Sequence, residues 1–99
     1  MNVQAGQFTV AEFIASPIED SVIVEVKETG DVHELNGVAG DILVFCKTRY
    51  DLGFGFSTDD IVDFIFSSYN VVDIPRDKVQ NDVEAALNRF VSVGLVKIG

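Results

Sequence analysis

Apolar and polar residues alternate over positions 22–27: Val22, Val24 and Val26 share one side of an extended chain, and Ile23, Glu25 and Lys27 the other. This is the period of a half-buried strand. Glu28-Thr29-Gly30-Asp31 follows as a turn in which Gly30 supplies a positive φ, and Val32-His33-Glu34-Leu35 resumes the extended pattern. The pair reads as a β-hairpin. A loop of two or four residues sets Val24 against Leu35 and Val26 against His33, so that Val22, Val24, Val26, Leu35 and His33 form one face with His33 at the border of the core. Upstream, residues 8–15 are apolar and partly alternating, which predicts a short first strand ended by Ser16-Pro17, because proline lacks an amide donor and restricts the residue before it.

Beyond Leu35 the period changes. Asn36 is placed to cap a helix over 37–47, where Val38, Ala39, Ile42, Leu43, Phe45 and Cys46 recur at helical spacing. Residues 48–56 carry Gly53 and Gly55 and no period, and read as a loop. Ser57-Thr58-Asp59-Asp60 then offers a cap followed by carboxylates in the first turn, where they complement the helix dipole, and predicts a second helix over 59–68. Its apolar set, Ile61, Val62, Phe64, Ile65, Phe66 and Tyr69, is wider than one stripe, so the helix packs on two sides or leaves a patch for a partner. Val79, Val83, Ala86, Leu87, Phe90 and Val91 keep the i, i+3/i+4, i+7 spacing of a third helix over 77–93, stopped by Gly94. The expected fold is α+β and winged-helix-like: an N-terminal segment (1–20) with a short strand, a hairpin (22–35), and a three-helix part (36–98).

Ninety-nine residues, 47% hydrophobic with eight phenylalanines, are enough for one domain with an ordered core. Sixteen acidic against seven basic side chains give a formal charge of −9, which opposes binding to a phosphate backbone. The single cysteine, Cys46, excludes an intramolecular disulfide and a cysteine-based metal cluster. With no basic N-terminal region leading into an apolar run, and no apolar stretch of about 20 residues, the chain is expected to be cytoplasmic.

No catalytic constellation emerges. His33 is the only histidine and has no carboxylate–cysteine set around it in sequence, which favours a histidine at the edge of the core over a general base or metal ligand. Cys46 lies among Ile42, Leu43 and Phe45, the setting of a small buried hydrophobe. Asp59, Asp60 and Asp63 lack the spacing of a calcium loop, and Gly53-Phe54-Gly55 lacks that of a phosphate loop. Neither a catalytic residue, a metal nor a cofactor is expected, and the chain does not read as an enzyme.

The ordered motifs resemble a known family. Asp31-Val32-His33-Glu34-Leu35-Asn36 is similar to the strand-to-helix junction of the PqqD-like leader-peptide recognition elements, which ends in Leu-Asn. Ile42-Leu43 with Cys46 sits at the spacing of that family's first helix, and Gly55-Phe56-Ser57-Thr58-Asp59-Asp60-Ile61-Val62 resembles its Gly-x-x-Thr-x-x-Ile-Val start of the second. Tyr69-Asn70-Val71, Asp82-Val83-Glu84-Ala85-Ala86-Leu87 and Gly94-Leu95-Val96 resemble the remainder, so that the likeness spans about residues 22 to 98. Residues 48–54 depart from the pattern as an interposed segment.

The resemblance implies a non-catalytic binding module. It would hold the leader of a ribosomally made precursor peptide and present it to a modifying enzyme, commonly a radical SAM protein, in the PQQ pathway or another. An extended peptide would add to the strand edge at Val32, His33, Glu34 and Leu35, against a groove wall of Val83, Ala86, Leu87 and Phe90. Core packing is the rival role for the four helix residues. Glu34, Asp82 and Glu84 read first as solvated surface; where they border the groove they would favour a leader carrying Lys or Arg. Two other layouts remain open: a winged-helix transcription regulator, which the acidic third helix disfavours, and an interaction domain with Val62 and Phe66 as a homodimer patch.

Overall fold

The computed structural model describes residues 1–71 and 73–99. Its elements run β1 (Asn2–Val3), β2 (Phe8–Val10), β3 (Phe13–Ile18), β4 (Ser21–Val26), β5 (Val32–Asn36), α1 (Gly37–Leu52), β6 (Phe56–Ser57), α2 (Thr58–Ser68), α3 (Arg76–Ser92) and β7 (Val96–Ile98). The fold is α+β, with strands gathered toward the N-terminus and three helices after them, as the periodicity predicts.

The alternating segment is the central strand of an antiparallel sheet ordered β3-β4-β5. Val24, Val26 and Leu35 are buried, and Val22 and His33 half-buried, so the five predicted residues do share the inner face. Their register differs from expectation: Val24 stands opposite His33 and Val22 opposite Leu35. The cause is the loop. Residues 27–30 close on Val26 and Asp31, with the Val26 amide donating to the Asp31 carbonyl at 2.8 Å and the Gly30 amide to the Val26 carbonyl at 2.8 Å, Gly30 taking φ 75°. The displacement is two residues, which leaves every side chain on its predicted face.

Ser16-Pro17 does not end the first strand, which is instead split. β2 stops at Val10, and β3 runs through Pro17, paired with Val22. The Lys27 amide donates to the Glu12 carbonyl at 2.9 Å, which makes 12↔27 a hydrogen-bonded pair. Alternation then turns the backbone of Phe13, Ala15 and Pro17 away from β4. Pro17 therefore removes no bond from the sheet, and it stands on the outer edge of β3, where proline obstructs further pairing.

Asn36 caps α1 as expected, its side chain accepting from the Ala39 amide at 2.7 Å. The helix continues through residues 48–52, where a loop was expected, and stops at Gly53 in a left-handed conformation, φ 79°. The Gly53 and Phe54 amides close that end on the carbonyls of Tyr50 and Arg49. Tertiary contacts hold the added turn: Lys47 bridges Asp51 at 2.7 Å and Glu12 at 2.9 Å, and the Tyr50 ring packs 5.7 Å from that of Phe8 on β2.

α2 opens on a reciprocal capping box between Ser57 and Asp60. Val62 on this helix is 0% exposed, so it belongs to the core and cannot form part of a dimer patch with Phe66. Two small ladders that periodicity did not show gather the chain ends: β1 pairs with β6, and β2 with β7. Phe8 and Phe56 meet edge to face at 5.0 Å where these ladders join the core. Among the described residues no helix is long and apolar enough to cross a membrane.

Candidate functional site

Among the described residues β5 has β4 on one side and no strand on the other. The Val26 amide bonds to the Asp31 carbonyl, and the Gly37 amide to the Asp20 carbonyl at 3.0 Å. The two bonds share one register, so alternate residues 31, 33, 35 and 37 turn their backbone groups toward β4. Val32, Glu34 and Asn36 turn theirs outward. Val32 is 61% exposed. At Glu34 the outward carbonyl accepts a hydrogen bond from Nη2 of Arg89 on α3, at 3.1 Å. The opposite edge of the sheet, on β3, carries Pro17; β5 is thus the edge open to a further strand.

Where β5 gives way to α1, a groove of about 1060 Å³ opens between the β3–β4 turn, the first turn of α1 and α3. Val22 and Ile42 lie at its base, and Ala86 and Val83 contribute from α3. Gly40 brings α1 close to β4 here: a Cβ at that position would lie 2.8 Å from Cγ2 of Val22. The groove is thus continuous with the outward end of β5 at Asn36, which also lines it.

Its rim is mainly acidic, with Glu19 and Asp20 from the turn, Asp41 from α1 and Asp82 from α3, against Lys78 and Arg89. Lys78 is 3.5 Å from Asp82, whereas Arg89 has no carboxylate within ion-pair distance among the described residues. The Tyr69 hydroxyl donates to Asp41, tying the end of α2 to the second turn of α1. That hydrogen bond, followed by partial burial and the charge of Asp41, pushes the phenol up to about 12.

The residues expected from sequence separate into three sets. Val32 and Glu34 stand on the free edge; His33 and Leu35, between them, face inward. Leu35 is 1% exposed, and Nε2 of His33 is buried without a hydrogen-bond partner among the described residues. On α3, Ala86 is half-buried on the groove, while Val83, Leu87 and Phe90 are buried to 1% exposure or less, and Leu87 does not line the groove at all. Glu84 lies elsewhere, ion-paired with the Met1 ammonium at 2.6 Å. Cys46 is buried, and desolvation pushes its thiol up to about 12, the state of an unreactive cysteine.

Sequence reasoning missed Glu19, Asp20, Asp41, Tyr69 and Arg89. The polar break between Ile18 and Ser21 was the signal for a hairpin turn at Glu19-Asp20. No local signal places that turn beside the N-terminus of α1; only the register of the sheet does.

Of three comparisons with known proteins, two find a match. A family model described as Coenzyme PQQ synthesis protein D (PqqD) matches residues 21–96. No curated protein sequence matches the chain. In structure, the chain is similar to TbiB1 in complex with the TbiA(beta) leader peptide, with a TM-score of 0.65, 20% identity and coverage of 90% of this chain and 94% of that one. It is also similar to lasso peptide synthetase B1 complexed with the leader peptide, with a TM-score of 0.64, 17% identity and coverage of 92% and 98%. At these identities the two likenesses establish a shared fold.

Proposed function

Since the chain belongs to the PqqD family, we propose that it is a recognition domain for the leader of a ribosomally made precursor peptide. It binds the leader as an added strand on β5 and presents the rest of the peptide to a modifying enzyme, a radical SAM protein being the favoured type. The observation that carries this reading is the open edge at Val32, Glu34 and Asn36 running into the groove beside Ala86, in a sheet whose other edge is obstructed by Pro17. Backbone pairing supplies affinity that is indifferent to sequence, and the groove accepts one or more apolar side chains that are not. That two proteins of the same fold were solved with leader peptides bound supports the same use here. Work on a newly made peptide favours a cytoplasmic location.

The reading is of a binding module, since the described residues of the groove bring together no nucleophile, base and orienting group. A DNA-reading role finds no cationic face on α3. Of the basic residues of α3, Arg76 is 2.9 Å from Asp63 and Lys78 is paired with Asp82, leaving Arg89.

The test uses amide chemical shifts of the labelled protein titrated with peptides tiled along a short precursor encoded beside its gene. Shifts at residues 32–36 and on the groove side of α3 are expected. Glu34→Pro removes only an outward amide and leaves the β4 ladder intact, so it is expected to abolish binding by a folded protein. Undiminished binding by that variant, or a response to duplex DNA and to none of the peptides, overturns the reading.

A further inference from the structure

The hydrogen bond from Arg89 to the outward carbonyl of Glu34 occupies the acceptor that an added strand would use. We propose that Arg89 determines which peptides bind: the incoming strand displaces it from Glu34, and its freed guanidinium then pairs with an Asp or Glu side chain of the peptide. This rests on the strand-addition reading above and names a specificity-determining residue for it.

Giving up the Glu34 carbonyl costs the protein little. Arg89 is exposed and its bond to Glu34 is solvent-accessible, so water and the peptide amide replace the two partners that separate. What remains is a planar cation with five donors beside the peptide backbone, matched in shape to a carboxylate. Among the described residues no carboxylate lies within ion-pair distance of it. Glu84 on the same helix is held by the Met1 ammonium, and Asp82 by Lys78. In a chain of formal charge −9, a groove-side arginine without a carboxylate partner is the place where an acidic peptide residue meets attraction. Elsewhere the rim, with Glu19, Asp20 and Asp41, repels one. The groove is therefore polarised, cationic at the Arg89 guanidinium and anionic at the start of α1, which places the acidic residue at one position of the bound strand and not at any other.

The test is selection from a displayed library of random peptides, about twelve residues long to span β5 and the groove, on the wild-type protein, R89Q and R89E, with circular dichroism confirming that each variant is folded. Wild type is expected to enrich peptides with Asp or Glu at one fixed position relative to their apolar residues. R89Q is expected to keep the apolar pattern and lose the acid, and R89E to replace it by Lys or Arg. For one synthesised wild-type binder, changing that acid to its amide is expected to weaken binding to wild type about tenfold and to R89Q hardly at all. A wild-type selection without a fixed acid, retention of the acid by R89Q, or tighter binding by R89Q to every peptide would overturn the proposal while leaving strand addition in place. If wild type enriches no peptide, strand addition itself fails, and this assignment with it.

Discussion

The α-ammonium of Met1 lies 2.6 Å from Oε1 of Glu84, so the first residue of the chain is tied to the middle of α3. Oγ1 of Thr58, itself buried at 4% exposure, accepts from the same ammonium at 2.9 Å and donates to the same carboxylate. The bond to the ammonium, followed by that from Thr58, holds the Glu84 carboxyl below its ordinary range. A depressed carboxylate pKa stabilises the fold above the unfolded-state value, and the contribution disappears as pH falls through the folded one. Glu84→Gln is therefore expected to cost about 1 kcal/mol near pH 7. The cost should shrink toward zero in acid. Urea unfolding at about pH 7 and about pH 3 checks it, and a difference that stays constant across that range would show that the charge of Glu84 contributes nothing.

Tyr69 is one of two tyrosines in a chain without tryptophan, so its ionisation can be followed directly by absorbance. Its phenol is expected to titrate at about 12. Asp41→Asn removes the charged acceptor, which is the largest cause of the shift, and should bring that titration back toward the ordinary value of about 10. An unchanged alkaline titration in the variant would mean that the contact between α1 and α2 is not made in solution.

Gly40 is buried against Val22, and a methyl group there would stand 2.8 Å from Cγ2 and 3.2 Å from Cβ of a stiff, β-branched side chain. Gly40→Ala gains up to about 1 kcal/mol of helix propensity and meets an overpacking cost of about 1–3 kcal/mol. Net destabilisation of about 1 kcal/mol is expected, visible as a lower unfolding midpoint in urea. Greater stability in the variant would show that α1 can move off β4 without loss.

Adjacent residues of α3 are expected to part in their effects. Leu87→Ala opens a cavity in the core and should cost about 2–5 kcal/mol. Ala86→Leu adds bulk on the groove side, where it should change stability by less than about 1 kcal/mol and weaken peptide binding several-fold. Unfolding curves and the peptide titration read the two separately; equal stability losses would place Ala86 in the core beside Leu87.

The hairpin, the three helices and most of their caps were legible in the sequence because they rest on local chemistry. Asn36, the Ser57–Asp60 box and Gly94 each satisfy backbone groups within a few residues of themselves. Of the candidate site, the strand that carries Val32 and Glu34 on its free edge was legible through the motif that ends in Leu-Asn, and the core-facing positions of α3 through their helical period. Which of those positions faces the groove was not, since Ala86 and Leu87 belong to the same broad apolar face and differ only in what is packed against them.

Alternation and helical period by themselves determined the strands of the hairpin, the presence of three helices, the inner face of the sheet and the fold class, because side-chain direction repeats every 2 or 3.6 residues whatever the surroundings. The tertiary structure decided the rest. It extended α1 through residues 48–52 by giving Tyr50 and Lys47 partners on and beside β2, and it carried β3 through Pro17 by turning that residue outward. It also brought the Met1 ammonium to Glu84 and Arg89 to the carbonyl of Glu34, contacts across 83 and 55 residues. No local pattern encodes such pairs, since they form only when burial of a shared core brings distant segments together and leaves one strand edge beside one helix.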